Sequence, residues 1–153
     1  MEIERKFLVP DLPADLDQMP STLIEQGYIV IGADGTEVRV RRRGGDAVLT
    51  IKAGAGRTRT EEEFAIDDER FARLWPLTEG RRVEKTRHVM ATDGGLEFEI
   101  DVYTGGLAGL SVVEVEFASE QAADTFTPPA WFGREVTDDA RFKNQRLASD
   151  GAP

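Results

Sequence analysis

Polar and apolar residues alternate along most of the chain with a period of two, which is the period of a β-strand. In the opening segment EIERKFLV, Ile3 and Phe7 fall on one side of an extended chain. The charged residues Glu2, Glu4 and Lys6 fall on the other side. Comparable segments follow at TLIEQGYIVI, TEVRVRRR, AVLTIKA, RTRTEEEFAI, RRVEKTRHVM, LEFEIDVY and LSVVEVEF. Together they predict about eight strands.

Short stretches rich in Gly and Asp separate these segments, at residues 32–35, 44–46, 54–56, 93–95 and 105–109. Turns of this length join neighbouring antiparallel strands, so we expect a sheet built from hairpins. Helical patterns are fewer. We predict a helix over residues 67–75, with Asp67 or Asp68 as its N-cap, and a second helix that starts at Ser119. A last helix is expected over residues 139–149.

The composition is that of one ordinary globular domain, with 153 residues, 40% hydrophobic and 31% charged. We expect a single domain over residues 1–148 and a flexible tail over residues 149–153. The absence of cysteine excludes disulfides, thiolate metal sites and a cysteine nucleophile. His88 is the single histidine, so a multi-histidine zinc site is excluded as well. Any bound metal must be held by oxygen.

Charge and hydropathy limit the partners of the protein. The formal net charge of -10 argues against a nucleic-acid binder, because phosphate backbones require a basic surface. The sequence has no apolar run long enough to cross a membrane and no N-terminal signal peptide pattern. We therefore expect a cytoplasmic protein with a small-molecule partner. A homodimer stays open.

The charged sides of the predicted strands are sorted by sign. Like charges that lie two residues apart on one strand face repel each other, and a merely solvated face has no reason to repeat this cost. A plain wet face would carry a mixture of polar residues and pairs of opposite sign instead. The basic set is Arg39, Arg41, Lys52, Lys85 and Arg87, and the acidic set is Glu61, Glu63, Glu97, Glu99, Asp101, Glu114 and Glu116.

About eight antiparallel strands are enough to close into a barrel, and closure removes exposed strand edges. The expected fold is therefore α+β and mainly β: an eight-stranded antiparallel closed β-barrel with a charged interior and helices packed outside. Clustered Arg and Lys favour a polyanion such as linked phosphates. Clustered carboxylates favour Mg²⁺ or Mn²⁺, so a metal–polyphosphate complex would satisfy both halves of the interior.

The ordered set of motifs resembles the CYTH superfamily, the triphosphate tunnel metalloenzymes, over residues 2 to about 148. The motifs that carry the resemblance are E-x-E-x-K at residues 2–6, R-x-R at Arg39 and Arg41, Lys52, E-x-E at Glu61 and Glu63, K-x-R at Lys85 and Arg87, E-x-D at Glu99 and Asp101, and E-x-E at Glu114 and Glu116. The resemblance implies a tunnel in which basic residues bind a triphosphate and glutamates bind the divalent metal.

Roles follow from the resemblance by position. It implies that Glu2, Glu4 and Glu116 hold the catalytic metal, with Lys85 and Arg87 completing the catalytic set. It implies that Lys6, Arg39, Arg41, Lys52, Lys85 and Arg87 bind the phosphates, and Arg59 could extend this set. Glu61, Glu63, Glu99, Asp101 or Glu114 would orient the attacking water or hold a second metal.

The leading function is hydrolysis of inorganic tripolyphosphate. The alternatives are a class IV-type adenylyl cyclase, a thiamine or nucleoside triphosphatase, and a non-enzymatic polyphosphate binder. Outside the motifs, His88 is expected on the outer face in a structural role, and Tyr28 is expected to pack in the core or near the tunnel mouth. The C-terminal helix is amphipathic and is a candidate plug for one tunnel end, with Arg141, Lys143 or Arg146 near the ligand.

Overall fold

The structure is a computed structural model that describes residues 2–54 and 59–153. The start of the predicted strand RTRTEEEFAI and part of the predicted turn at residues 54–56 lie outside these residues. The strands are β1 (Ile3–Leu8), β2 (Ser21–Ile31), β3 (Glu37–Arg43), β4 (Asp46–Ala53), β5 (Thr60–Ile66), β6 (Arg82–Ala91), β7 (Glu97–Thr104) and β8 (Ser111–Phe117). The helices are α1 (Asp68–Leu74), α2 (Glu120–Thr125) and α3 (Asn144–Asp150), with short 3-10 helices at Leu16–Gln18, Trp75–Thr78, Gly105–Leu107 and Ala140–Phe142.

All eight strands form one antiparallel sheet in the order β1-β8-β7-β6-β2-β3-β4-β5. The predicted eight-stranded antiparallel architecture is therefore confirmed. The predicted closure into a barrel is wrong for the part of the chain that the structure describes, because β1 and β5 are the two edges of the sheet and do not pair with each other.

A segment other than β5 provides hydrogen-bond partners for the free edge of β1. Residues 133–137 run along the free edge of β1, where the Val136 N–H donates to the Lys6 carbonyl at 2.8 Å and the Leu8 N–H donates to the Arg134 carbonyl at 2.9 Å. These bonds satisfy backbone groups that would otherwise need another strand. At the other edge, nearly every residue of β5 is exposed.

The apolar side chains of β1, β7 and β8 lie on one face of the sheet and form its main core. Phe7, Phe98, Ile100, Val113 and Val115 are buried there. Phe132 packs against them, with its ring centroid 4.9 Å from that of Phe7 and 5.1 Å from that of Phe98. This apolar face is covered less well near β4 and β5, where Ile51 and Phe64 are 37% and 48% exposed.

The opposite face of the sheet, called the charged face below, carries Glu4, Lys6, Arg41, Lys85 and Arg87 at alternating strand positions. This face is enclosed, although the sheet is open. Lys85 and Asp101 on it are 3% and 0% exposed, which a flat, wet sheet surface would not allow. The sheet therefore curves around its charged face.

Local sequence signals placed the helices well. Asp67 caps α1 by accepting a hydrogen bond from the Arg70 N–H at 2.7 Å, and Ser119 caps α2 by accepting one from the Ala122 N–H at 3.1 Å. The last predicted helix is divided into the 3-10 helix Ala140–Phe142 and α3. Within the described residues, none of the helices has the length and apolar character needed to span a membrane.

Candidate functional site

Strand register brings the predicted acidic residues of β1, β8 and β7 together. Glu4 lies directly opposite Glu116, Lys6 lies opposite Glu114, and Glu114 lies opposite Glu99. We call the four carboxylates the acidic strip: Glu4, Glu99, Glu114 and Glu116. A cavity of about 500 Å³ lies beside it and is lined in part by Glu97, Glu99, Glu116 and Arg43.

The acidic strip carries more negative charge than its neighbouring cations compensate. Partial burial, together with the neighbouring Glu114 and Glu2 carboxylates, raises the pKa of Glu4 to about 7, and the Lys6 ammonium only partly opposes this shift. Two cations contact the strip: Lys6 Nζ lies 3.4 Å from Glu114, and Arg87 Nη1 lies 2.9 Å from Glu99. Clustered carboxylates that repel each other provide the hard oxygen ligands that a divalent cation prefers.

The acidic strip is not a preassembled metal cage. Within residues 2–54 and 59–153, no three His, Cys, Asp or Glu side chains converge as a ready-made metal site. The donor set of the strip fits a hard divalent cation.

Next to the acidic strip, three predicted phosphate-binding residues line a small cavity on the charged face. We call this cavity, of about 60 Å³, the basic pocket. It is lined by Ile24, Gln26, Arg41, Val83, Lys85, Arg87 and Asn144. Burial lowers the pKa of Arg41, the neighbouring Arg39 adds to this, and the Glu63 carboxylate partly opposes it. Three cationic side chains around one small cavity form a site suited to an anion.

Asp101 lies behind the basic pocket and holds two of its cations. Arg87 donates to both oxygens of this carboxylate, from Nε at 2.8 Å and from Nη2 at 2.9 Å. Lys85 Nζ lies 2.8 Å from Oδ2. Burial alone would raise the pKa of Asp101, but the hydrogen bond from Arg87 and the charge of Lys85 hold it below its usual value. Both oxygens are engaged, so this geometry favours a positioning role for Asp101 over metal binding.

The two ionisable partners of Asp101 respond in opposite ways. Burial lowers the pKa of Lys85, although the Asp101 carboxylate opposes the shift. Burial also disfavours the charged form of Arg87, but the bidentate bond to Asp101 outweighs it and raises the pKa of that guanidinium. Arg87 is therefore a fixed positive charge, held in one orientation by a fully buried carboxylate.

The remaining predicted residues lie on the other half of the charged face. Arg39 Nη1 contacts Glu37 at 3.2 Å, while its Nε is buried without a hydrogen-bond partner. Lys52 Nζ lies 3.9 Å from Glu61, and Glu63 accepts a hydrogen bond from Thr50 at 3.0 Å. Glu61 and Glu63 therefore lie on β5, at the other edge of the sheet from β1, which carries Glu4. Both of them contact residues of β4.

Of four further predicted residues, two lie at the starts of strands and two lie outside the motifs. Glu2 and Arg59 are exposed at positions just before β1 and β5. His88 is buried opposite Ile100 on the apolar face, as the alternation predicts, and its Nδ1 has no hydrogen-bond partner. Tyr28 is 1% exposed in the core, and its hydroxyl accepts a hydrogen bond from Gln26 at 2.7 Å.

The strand patterns did not point to several residues of this region. Glu37 shares the alternation of Arg39, and Gln26 shares that of Tyr28, so the strand pattern could have pointed to both. Asn144 belongs to α3, which reaches the charged face only through tertiary packing, and no local signal links it to the strands. Gln145 also comes from α3 and donates to Glu37 at 3.3 Å.

Comparisons with known proteins place the chain in a family. A family model described as the CYTH domain matches residues 1–143. A protein of Nitrosomonas europaea named inorganic triphosphatase is 49% identical over 148 residues, covering 96% of each chain. An inorganic triphosphatase of Acetivibrio thermocellus is 36% identical over 151 residues, covering 97% of this chain and 94% of the relative. A crystal structure of the inorganic triphosphatase NE1496 matches with a TM-score of 0.87 and 45% identity, covering 100% of this chain and 97% of that chain.

Proposed function

We propose that this chain, which belongs to the CYTH domain family, hydrolyses inorganic tripolyphosphate to pyrophosphate and phosphate on the charged face of its sheet. The observation that carries the proposal is the adjacency of the basic pocket and the acidic strip. Arg87 joins them, because it lines the pocket and also contacts Glu99 of the strip at 2.9 Å. An anion in the pocket therefore lies next to carboxylates that can hold its counter-cation.

The substrate class follows from the number and spread of the cations. Beyond the three in the basic pocket, Lys6, Arg39 and Lys52 lie on the same face of the sheet. A single phosphate needs fewer partners, so several linked phosphates match this face better. Relatives named inorganic triphosphatase, at 49% and 36% identity, support tripolyphosphate as the substrate.

The family implies a divalent metal, and we infer Mg²⁺ or Mn²⁺ from the hard oxygen ligands. Glu4 and Glu116 would hold it, together with the neighbouring Glu2. Held there, the metal would supply positive charge that neutralises the phosphate oxygens and the leaving group. Glu61 and Glu63 stay candidates for a second metal.

The chain's own residues supply binding and orientation. Arg41, Lys85 and Arg87 contact the phosphate oxygens and neutralise charge that builds in the transition state. Asp101 acts through Lys85 and Arg87 and keeps both in place. Glu99 and Glu114 lie beside the cations that would bind the phosphates, which makes them candidates for orienting the attacking water.

The test is phosphate release by purified protein from tripolyphosphate, thiamine triphosphate and ATP, with Mg²⁺, Mn²⁺ or EDTA, while cyclic AMP is assayed in parallel. The proposal expects metal-dependent release that is fastest with tripolyphosphate and no cyclic AMP. Formation of cyclic AMP from ATP would favour the cyclase. Tight binding of tripolyphosphate without turnover in either metal would favour a polyphosphate binder.

A further inference from the structure

Resting on that proposed function, we propose that the site recognises the end of a linear phosphate chain, and that Asn144 binds the terminal phosphate at the closed end of the charged face. Residues 140–150, called the C-terminal segment below, form that closed end. Three features carry the inference: the apolar packing of the segment, the position of Asn144 in the basic pocket, and the orientation of its amide.

The C-terminal segment fills one end of the charged face with apolar side chains. Phe142 and Leu147 are 4% and 1% exposed, and they belong to the same buried cluster as Tyr28, Val83 and Tyr103. Lys6 Nζ donates to the Phe142 carbonyl at 2.9 Å and ties the segment to β1. A phosphate chain cannot continue through this cluster, because its charges would lose water without gaining partners.

Asn144 lies where the basic pocket meets this apolar cluster. It lines the pocket together with Arg41, Lys85 and Arg87, and it is the first residue of α3. The three cationic side chains thus face a cavity that a neutral amide bounds on the side of the C-terminal segment. A phosphate in this pocket has cations around it and meets the apolar cluster of the C-terminal segment at Val83, which also lines the pocket.

The amide of Asn144 is oriented by Tyr103. The Tyr103 hydroxyl donates to Asn144 Oδ1 at 3.3 Å. Burial raises the pKa of Tyr103, with further contributions from Asp101 and Glu114, so this hydroxyl stays protonated and can donate. Because Oδ1 accepts from Tyr103, the amide nitrogen is left to donate, and a donor is what a phosphate oxygen needs.

A terminal phosphate suits this arrangement better than an internal one. It has one more non-bridging oxygen than an internal phosphate, and only one covalent link leads away from it. The three cations and the Asn144 amide can bind its oxygens while the rest of the chain extends away from the C-terminal segment. A cyclic phosphate has no such end, so it cannot enter the pocket in this way.

The experiment measures binding in EDTA, by calorimetry, of linear tripolyphosphate and of cyclic trimetaphosphate to the full chain. The proposal expects the wild-type protein to prefer the linear compound by about tenfold or more, in line with the loss of a hydrogen bond to a charged group. Asn144→Ala should weaken the binding of tripolyphosphate by about tenfold and leave that of trimetaphosphate unchanged. Asn144→Asp, which has the same shape and can still accept from Tyr103, should weaken tripolyphosphate binding further.

Gln121→Glu on the exposed surface of α2 is the matched control for an amide-to-acid change, and it should bind both compounds as the wild type does. Thermal unfolding identifies a variant that fails to fold, in which case the other Asn144 variant decides. Equal binding of the two compounds by the wild type, or equal weakening of both in the variants, would overturn the inference. If either of these results were found and the protein still hydrolysed tripolyphosphate, the proposed function would stand. If the protein bound the linear compound selectively but did not hydrolyse it, only the proposed function would be overturned.

Discussion

At the scale of single residues, the central feature is a buried carboxylate that serves two cations. Asp101 is 0% exposed, and its two oxygens receive three contacts from Lys85 and Arg87, each within 2.9 Å. A buried ion pair of this kind adds little net stability by itself, since desolvation offsets attraction. Removing one partner is costly, because the remaining charges stay buried without compensation.

We therefore expect Asp101→Asn to lower the free energy of unfolding by about 3–5 kcal/mol, since a neutral amide cannot compensate Lys85 and Arg87. Urea unfolding measures this change. Asp17→Asn, the same substitution at an exposed position, is the control and should change the free energy of unfolding by less than about 0.5 kcal/mol. If the two variants were equally stable, Asp101 would not be holding these cations.

The raised pKa of Glu4 predicts a proton that must leave when a metal binds. With a pKa of about 7, the Glu4 carboxyl is roughly 90% protonated at pH 6 and roughly 10% protonated at pH 8. Calorimetric titration with Mn²⁺ in buffers of different ionisation enthalpy should show more proton release at pH 6 than at pH 8. Glu4→Gln should abolish the difference. Equal release at the two pH values in the wild type would contradict the raised pKa.

The same pKa has a consequence for stability without metal. The pKa of Glu4 rises from 4.5 to about 7 on folding, so the protonated carboxyl favours the folded state. This contribution is complete below about pH 4.5 and is lost as the pH rises through 7. In EDTA, urea unfolding of wild type and Glu4→Gln should therefore diverge between pH 5 and pH 8, with the wild type losing more stability.

At the scale of elements, the edge of β1 depends on one close approach of two backbone segments. The Gly133 N–H donates to the Leu8 carbonyl at 2.7 Å. A Cβ atom at Gly133 would lie 2.9 Å from that carbonyl oxygen and 2.9 Å from Pro10 Cδ. Neither contact is with the end of a flexible side chain, so the segment over residues 133–137 would have to move away from β1.

Gly133→Ala is expected to lower the free energy of unfolding by about 1–3 kcal/mol, the usual cost of overpacking. Gly94→Ala is the matched control, because a Cβ atom there meets nothing within 4 Å. Chemical denaturation compares the two variants with the wild type. Equal stability of the two variants would mean that residues 133–137 do not need this close approach.

Local sequence patterns predicted the strands and helices, but they wrongly predicted that the sheet closes into a barrel. Strand alternation and the caps at Asp67 and Ser119 depend on residues close in sequence, so they could be found in the chain alone. The closed barrel could not be judged in this way, because the pairing of edge strands is a long-range property. Residues 133–137 occupy the edge of β1, but their sequence shows no strand alternation from which this pairing could be predicted.

The residues of the candidate site also fall into two groups: those that the local strand pattern predicts and those that only the folded structure brings together. The charged residues that alternate on strands, such as Arg87 and Glu116, were predicted because their spacing places them on one face. Asn144 was missed because α3 meets the strands only in the folded protein. The positioning role of Asp101 also needed the structure, since the sequence shows a carboxylate but not its partners.

At the scale of the whole molecule, charge is distributed unevenly. The net charge of -10 would repel a polyanion, yet the basic pocket concentrates Arg41, Lys85 and Arg87 on an enclosed face. The acidic strip lies beside this pocket and contacts it through Arg87. The proposed metal–phosphate complex would therefore be attracted to one face, while the rest of the surface disfavours anions.

The role of the acidic strip in turnover is tested by comparing tripolyphosphate hydrolysis with Mg²⁺ in Glu116→Gln and in Glu120→Gln, which lies on the exposed start of α2. We expect Glu116→Gln to lose at least about a hundredfold in turnover, a typical loss for one electrostatic group of an active site. Its binding of tripolyphosphate in EDTA should be no weaker than that of the wild type, because a negative charge has been removed from the acidic strip. Glu120→Gln should match the wild type in both measurements. If Glu116→Gln turned over tripolyphosphate as fast as the wild type, the acidic strip would not be part of the catalytic site.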